Sequence, residues 1–278
     1  FTTNIEVGVD YDTKNLGNFD SIVLCGGATK TRSLPTPGID ADGVVQAMTF
    51  LTQQTKVVLD KPIENQILAT DKNVIVIGGG DTGSDCIGTS NRQGAKNVVN
   101  FEIMPKPPGH RSPTTPWPFW PLKLKTSSSH QEGVERNWLI NTKEFVKDKN
   151  GKLIALKTVN VEWQTIPGQR PQLIEIPGTE KTWPCDLALL ALGFTGPEET
   201  LADKLGIKTD NRSNYIAEYG KYQTNVKHIF TAGDMRRGQS LIVWAISEGR
   251  EAARQVDLFL MGKSELPSKD IAGDLVAM

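Results

Sequence analysis

Val74-Ile75-Val76-Ile77-Gly78-Gly79-Gly80-Asp81-Thr82-Gly83-Ser84-Asp85-Cys86 is the stretch that decides the fold. Four β-branched residues in a row predict a buried parallel strand. Gly78, Gly80 and Gly83 then fill the three glycine positions of G-x-G-x-x-G. In that pattern the first glycine permits a tight turn. The second lets a pyrophosphate approach the backbone, and the third lets helix and strand pack closely. A helix is expected from about Gly83 to Gln93, its unpaired N–H groups aimed at the phosphates. Asn97 to Glu102 reads as the second strand. Glu102 ends it, about 20 residues past the glycines, where a ribose-binding acid is expected. A glycine-rich turn in an ordinary α/β domain is the plainer alternative. The order strand, turn, helix, strand, acid favours a dinucleotide site that also takes in Gly79, Asp81 and Thr82.

Working outward, 278 residues suggest two domains, and 38% hydrophobic with 23% charged residues fits a globular chain with a proper core. A net charge of −1 gives no bulk electrostatic case for nucleic acid or an anionic membrane. No apolar run approaches the roughly 20 residues a membrane span needs. Cys25, Cys86 and Cys185 are far apart and form no C-x-x-C pair, so each reads as a small buried hydrophobe. A disulfide framework or an iron–sulfur site built from this chain alone is not expected. The chain opens on Phe1 with neither an initiator Met nor a signal-like segment, and it reads as a piece of something longer.

Upstream of the glycines, residues 1 to 19 read as a hairpin, with Phe1 to Val9 as one strand, and Phe19 to Leu24 as a buried strand. That strand runs into Gly26-Gly27-Ala28-Thr29, where backbone can approach a ligand. Val44 to Gln54 has helical spacing, with Val44, Ala47, Met48 and Leu51 on one face; residues 55 to 72 read as a linker. Downstream, Pro105, Pro107, Pro108, Pro113, Pro116, Pro118 and Pro121 exclude regular structure; Trp117, Phe119 and Trp120 among them are expected to lie on a neighbouring surface. The segment is either a packed surface loop or a lid beside a ligand, and it carries His110 and Arg111. Asn137 to Val146, Leu153 to Trp163 and Gln172 to Ile176 predict a strand meander, turning at Asp148 to Gly151. Asp186 to Leu192 is a further buried strand, ending at Gly193-Phe194, and a short helix is expected near Glu198 to Leu205. The last signal is a strand from Val226 to Phe230, then Gly233-Asp234, Arg236-Arg237-Gly238-Gln239-Ser240 and a helix from about Leu241 to Leu260. Ser240 is its expected N-cap. A strand end, glycines and a helix start form an anion- or ring-binding corner, and two arginines after Asp234 point to a ligand there.

These two corners together resemble the two-dinucleotide, Rossmann-like flavoprotein fold of the disulfide-reductase type, in which a nicotinamide domain interrupts the flavin domain. The closer resemblance is to the β subunit or β region of glutamate synthase. It rests on residues 74–90, Phe101-Glu-Ile-Met-Pro-Lys-Pro-Pro108, Pro116-Trp-Pro-Phe-Trp-Pro121, Asp210-Asn-Arg-Ser213 and Gly233 to Arg250, and covers essentially the whole chain. The resemblance implies an α/β chain arranged as a partial FAD domain (1–70), an NAD(P)H domain (71–195) and a returning FAD segment (196–278). Gly78 to Gly83 would hold the nicotinamide nucleotide, with Glu102 favouring NADH and Lys106 or Arg111 speaking for NADPH. FAD would lie against Gly26, Gly27, Ala28, Gly193, Gly233, Asp234, Gly238, Gln239 and Ser240. Hydride would pass from nicotinamide to flavin with no catalytic side chain, since the cofactors carry the chemistry. Electrons would leave through 4Fe-4S clusters to the large subunit or region, whose glutaminase and FMN-containing synthase parts make glutamate. A cytoplasmic location is implied, with an organelle as the alternative. The family's first FAD glycine motif and its cysteine clusters are missing from these residues, so a fragment that lacks the full reaction is expected. An electron-input module of a dihydropyrimidine dehydrogenase-like or ferredoxin-linked protein, and a nucleotide-binding module without turnover, are the competing readings.

Overall fold

The computed structural model describes residues 1–117, 122–166, 168 and 170–268. They form two compact units, one of Phe1–Arg32 with residues 194–268, the other of Ser33–Gly193. The first unit opens without the expected hairpin. The Glu6 carbonyl accepts from Val9 and Asp10 N–H, and the Glu6 N–H bonds the Asp10 carboxylate at 2.9 Å. This local turn takes the backbone groups a ladder would need. A 3-10 turn, Thr13–Asn18, follows under an Asp12 cap. The expected buried strand shortens to β1, Ile22–Leu24, in which Leu24 alone is buried and Val23 is exposed; Phe19 and Asp20 stay exposed outside it. A two-residue strand, β2, is Lys30–Thr31.

The second unit starts with β3 (Val44–Gln46) and α1 (Ala47–Val58). The expected helix from Val44 is therefore corrected. The two valines pair in parallel with a later strand, and the helix buries Ala47 and Phe50 while Met48 is 43% exposed. Strand β4 (Asn73–Ile77), α2 (Asp81–Arg92) and β5 (Asn97–Glu102) follow as a parallel β-α-β unit. The helix starts at Asp81, two residues before the expected position. A four-residue α3 (Ser128–Gln131) leads into β6 (Glu135–Trp138) and β7 (Ile140–Lys147). What reads as one strand in sequence is cut at Leu139, whose φ of 59° breaks the extended path. The piece before the break joins the parallel sheet and the piece after it begins an antiparallel one. That second sheet continues through β8 (Leu153–Gln164), β9 (Gln172–Glu175) and β10 (Lys181–Pro184). The chain then returns through β11 (Leu187–Leu190).

The parallel sheet has the order β3-β11-β4-β5-β6. Alternate residues of β4 feed opposite faces. Ile75 and Ile77 pack with Phe101, Phe145 and Leu156, while Val74 and Val76 pack with Phe50, Ile87 and Leu189. Both faces are thus covered, as a parallel sheet requires. The expected boundary at residue 70 moves to residue 32, because β3 pairs with β11 and Phe50 lies in the same core as Val74. From β4 the chain moves outward to β5 and β6, and the meander brings it back on the other side as β11. The carboxyl ends of β4 and β11 therefore flank a topological switch point, where ligands of such sheets bind.

In the first unit the returning segment supplies β12 (Phe194–Gly196), antiparallel to β2, and α4 (Glu199–Leu205). Strand β13 (Ile229–Thr231) runs parallel to β1, and α5 (Asp234–Arg237) and α6 (Ile242–Met261) are the last elements among the described residues.

Candidate functional site: two glycine corners

At the end of β4 each glycine has a separate physical reason. Gly78 has φ of +121°, and a Cβ there would stand 2.2 Å from the Ala191 carbonyl oxygen. Gly83 lies in the first turn of α2, where a Cβ would meet the Gly78 carbonyl oxygen at 2.4 Å. Gly80 is the N-cap, with φ −81°, ψ −176° and no side-chain cap, and a Cβ there would meet nothing within 4 Å. The first and third glycines are thus demanded by packing. The second leaves open space before the uncapped amides of a 12-residue helix. Asp81 is exposed in that first turn and Thr82 is half-buried. Asn100, wholly buried in β5, holds the turn by donating from Nδ2 to the Gly78 carbonyl at 2.9 Å.

A Cβ on Gly79 would collide with the Glu102 carboxylate, at 2.0 to 2.5 Å from its three terminal atoms. The acid therefore lies over the glycine turn. Sequence reading missed its partner: Arg136 of β6 places Nη2 3.3 Å from Glu102 Oε1, with both side chains 13% exposed. Nη1 of Arg136 donates to the Lys125 carbonyl at 3.0 Å. The guanidinium lies 4.9 Å from the Trp138 ring centroid and the Lys106 ammonium 5.0 Å from the same centroid. Arg111, by contrast, donates to the Thr115 carbonyl within its own loop. A cavity of about 160 Å³ beside the turn is lined by Gly78, Gly79, Glu102, Met104, Asn141 and Leu192, among others. In the proline-rich loop Trp117 is 82% exposed, against the expectation that it packs on a neighbouring surface; its flanking Pro116 has no N–H to tie the segment down. Pro118, Phe119, Trp120 and Pro121 lie outside the described residues.

The second corner lies in the other unit. Gly27 has φ of +76° with open space around its Cβ position, whereas a Cβ on Gly26 would press on the Met235 methyl at 2.6 Å. Ala28 is half-buried. Gly233 (φ +68°) caps α5, and Gly238 (φ +81°) ends it. Asp234 Oδ1 accepts from the backbone N–H and the hydroxyl of Ser240, both at 3.1 Å. The Ser240 hydroxyl is spent there, so it is not the N-cap of α6; Leu241 is, without a side-chain cap. Gln239 Nε2 donates to the Phe194 carbonyl at 2.7 Å. The two arginines do not wait for a ligand. Glu248 of α6 is wholly buried and accepts from Arg236 Nε, Arg236 Nη2 and Arg237 Nη1, and from the Gly233 N–H at 2.9 Å. The Arg236 guanidinium also lies 5.4 Å from the Tyr222 ring centroid. Glu248 fell within a predicted helix with nothing local to mark it. Gly193, at φ +76°, closes the Ser33–Gly193 unit.

Burial pushes the Cys86 and Cys185 thiols up to about 12, as expected of inert small hydrophobes, whereas Cys25, expected to be buried too, is exposed. Among the described residues no group of His, Cys, Asp and Glu could hold a metal ion, and no helix is long and apolar enough to cross a membrane.

The chain is 46% identical over 275 residues to the glutamate synthase (NADPH) small chain of Mycobacterium tuberculosis (strain ATCC 25618 / H37Rv), covering 96% of this chain and 55% of that one. It is 44% identical over 276 residues to the glutamate synthase (NADH) of Schizosaccharomyces pombe, covering 95% of this chain and 13% of that one. The chain therefore spans about half the length of the small-chain relatives it matches. Among solved structures, Mycobacterium tuberculosis FprA in complex with NADPH superposes with a TM-score of 0.66 at 15% identity, over 93% of this chain and 68% of that one, which speaks for the fold. The family described as pyridine nucleotide-disulphide oxidoreductase matches residues 4–249. A match of that extent, on a chain whose β4–α2 turn leaves room for a ligand only at its middle glycine, means that the protein belongs to the pyridine nucleotide-disulphide oxidoreductase family.

Proposed function

We propose that the chain is the NAD(P)H-oxidising, electron-input part of a glutamate synthase. The observation that carries this reading is the open approach at Gly80, between two glycines that packing alone explains. The β4–α2 turn binds the pyrophosphate through the first amides of α2, and Glu102 accepts hydrogen bonds from the ribose hydroxyls, which favours NADH. A carboxylate there opposes the 2′-phosphate of NADPH.

FAD, when bound, supplies the hydride acceptor. This chain's contribution to its site is Gly26 to Ala28 and the turn from Gly233 to Ser240. The open space at Gly27 and the polar turn organised by Asp234 fit such a group. The FAD pyrophosphate anchor belongs to the family's first glycine motif, outside these residues. On this reading, 4Fe-4S clusters and a large-subunit partner with glutaminase and FMN-containing synthase parts complete the enzyme.

The test is a visible spectrum with nucleotide added. In the intact enzyme NADH bleaches the flavin band, and Gly80→Val abolishes the bleaching. The chain expressed as residues 1–278 binds NADH but purifies without stoichiometric FAD. A tightly flavin-loaded preparation of that chain would show the flavin site to be wrongly assigned. Nucleotide binding with no flavin reduction in the intact enzyme would favour a binding module without turnover.

A further inference from the structure

We propose that Arg136 is a latent phosphate anchor that Glu102 holds off the 2′ position, so that the ion pair, and not the carboxylate alone, sets the choice between NADH and NADPH. The inference rests on the reading of the Gly78–Gly83 corner as the nucleotide site.

Arg136 sits on β6, the edge strand next to β5, in register with Asn100 and two residues before the partner of Glu102. From there its guanidinium reaches the Glu102 carboxylate at 3.3 Å. The fork is only partly used. Nη2 meets Glu102, Nη1 meets the Lys125 carbonyl, and Nε is buried with no hydrogen-bond partner. The Arg136 guanidinium lies 4.9 Å from the Trp138 ring centroid, and the Lys106 ammonium 5.0 Å from the same centroid. The Glu102 carboxylate thus pairs with Arg136, and a second cation, Lys106, stands at the same tryptophan ring. The ring and the Lys125 carbonyl hold the guanidinium independently of its anion, and its donors suit a phosphate as well as a carboxylate.

Glu102 thus does two things. It presents an acceptor to the ribose, and it neutralises the nearest arginine. Take the carboxylate away and Arg136 is left partly buried, charged and unpaired, which is costly until another anion arrives. The 2′-phosphate of NADPH is that anion. Overall similarity does not choose the nucleotide, since relatives at 46% and 44% identity are named for NADPH and NADH respectively. Local charge has to choose it.

The test measures the dissociation constants of NAD⁺ and NADP⁺ by calorimetry in the intact protein, the oxidised forms being used so that no turnover intervenes. The variants are Glu102→Ala, Glu102→Gln, Arg136→Met and each Glu102 change combined with Arg136→Met; methionine keeps an apolar stem against Trp138, and thermal unfolding checks that every variant folds. Wild type favours NAD⁺. Glu102→Ala and Glu102→Gln tighten NADP⁺ by about tenfold or more, the worth of a charge-assisted hydrogen bond, and that gain disappears when Arg136 is also Met. Simple relief of repulsion predicts that the gain survives without Arg136. Survival of the gain, its absence in both Glu102 variants, or a wild-type preference for NADP⁺ would each overturn the proposal. Gly80→Val separates the two levels: if it still binds both nucleotides, the site assignment itself fails, whatever the Glu102 variants do.

Discussion

Gly80 and Gly83 are three residues apart in one turn, yet they should fail in opposite ways when given a side chain. At Gly80 the backbone is extended, at φ −81° and ψ −176°, so valine adopts it without strain, and its Cβ meets nothing within 4 Å. Gly80 makes no side-chain cap, so the helix loses only the modest N-cap advantage of glycine over valine, about 1 kcal/mol or less. The valine methyls would fill the space a pyrophosphate needs. Losing two charge-assisted bonds to helix amides costs about 3 kcal/mol or more, roughly a hundredfold in Kd. At Gly83 even alanine places Cβ 2.4 Å from the Gly78 carbonyl oxygen, with the Ala191 methyl at 3.7 Å. Backbone meets backbone there, and moving the helix off the strand should cost about 1–3 kcal/mol. Calorimetry with NAD⁺ and thermal unfolding, run on both variants, read the two effects apart. Gly80→Val should fold like wild type and bind at least a hundredfold more weakly, while Gly83→Ala should lower the melting temperature. Wild-type affinity in Gly80→Val, or a larger loss of stability there than in Gly83→Ala, would refute the division of roles.

Two further outcomes follow from buried charge and from a histidine. Glu248→Ala strands Arg236 and Arg237, whose side chains are 12% and 22% exposed, and should destabilise the protein by about 3–5 kcal/mol, with Glu248→Gln costing less; an unchanged denaturation midpoint for the alanine variant would show that the cluster holds nothing. His130 Nδ1 accepts from the Ser127 N–H at 3.1 Å, and burial, reinforced by the charge of Arg136, lowers its pKa. The folded state thus resists a proton that the unfolded chain takes near the ordinary value of about 6.5, so this contribution is present above that pH and is lost as the pH falls below it. Melting temperatures between about pH 5 and 7 should fall less steeply for His130→Asn than for wild type, and equal slopes would exclude His130 as a contributor.

How much of this was legible beforehand depended on whether a residue's reason lay near it in the chain. The core of the Ser33–Gly193 unit was readable because each signal is local: four apolar residues for β4, three glycines for the turn, and β5 with the expected ends, Asn97–Glu102. Val44-Val45-Gln46 misled because Val44, Ala47, Met48 and Leu51 share helical spacing, while the actual decision comes from a parallel ladder to Ala188–Leu190, more than 140 residues on. The switch at Leu139 was hidden for a related reason, since nothing about a leucine announces φ of 59°.

Charge was read least well, and for one physical cause. Sequence presents ionisable residues singly, whereas a partly buried charge persists in a fold only with its counter-charge. Arg236 and Arg237 suggested an anionic ligand until Glu248, 12 and 11 residues away on the next helix, took their donors. Glu102 suggested a lone acid reading a ribose until Arg136, 34 residues away on the neighbouring strand, shared its carboxylate. The two corrections act differently on function. Glu248 is wholly buried, so its cluster fixes the Gly233 turn from behind and leaves the flavin reading with the turn itself. Glu102 lies over Gly79 with Arg136 on its carboxylate, and Lys106 and Arg136 share the Trp138 ring. On the proposed reading of that glycine corner the counter-charge stands beside the ribose, and an acid at the end of the second strand stops being sufficient evidence for NADH. Its meaning depends on whether the arginine stays with the carboxylate when a 2′-phosphate competes for it.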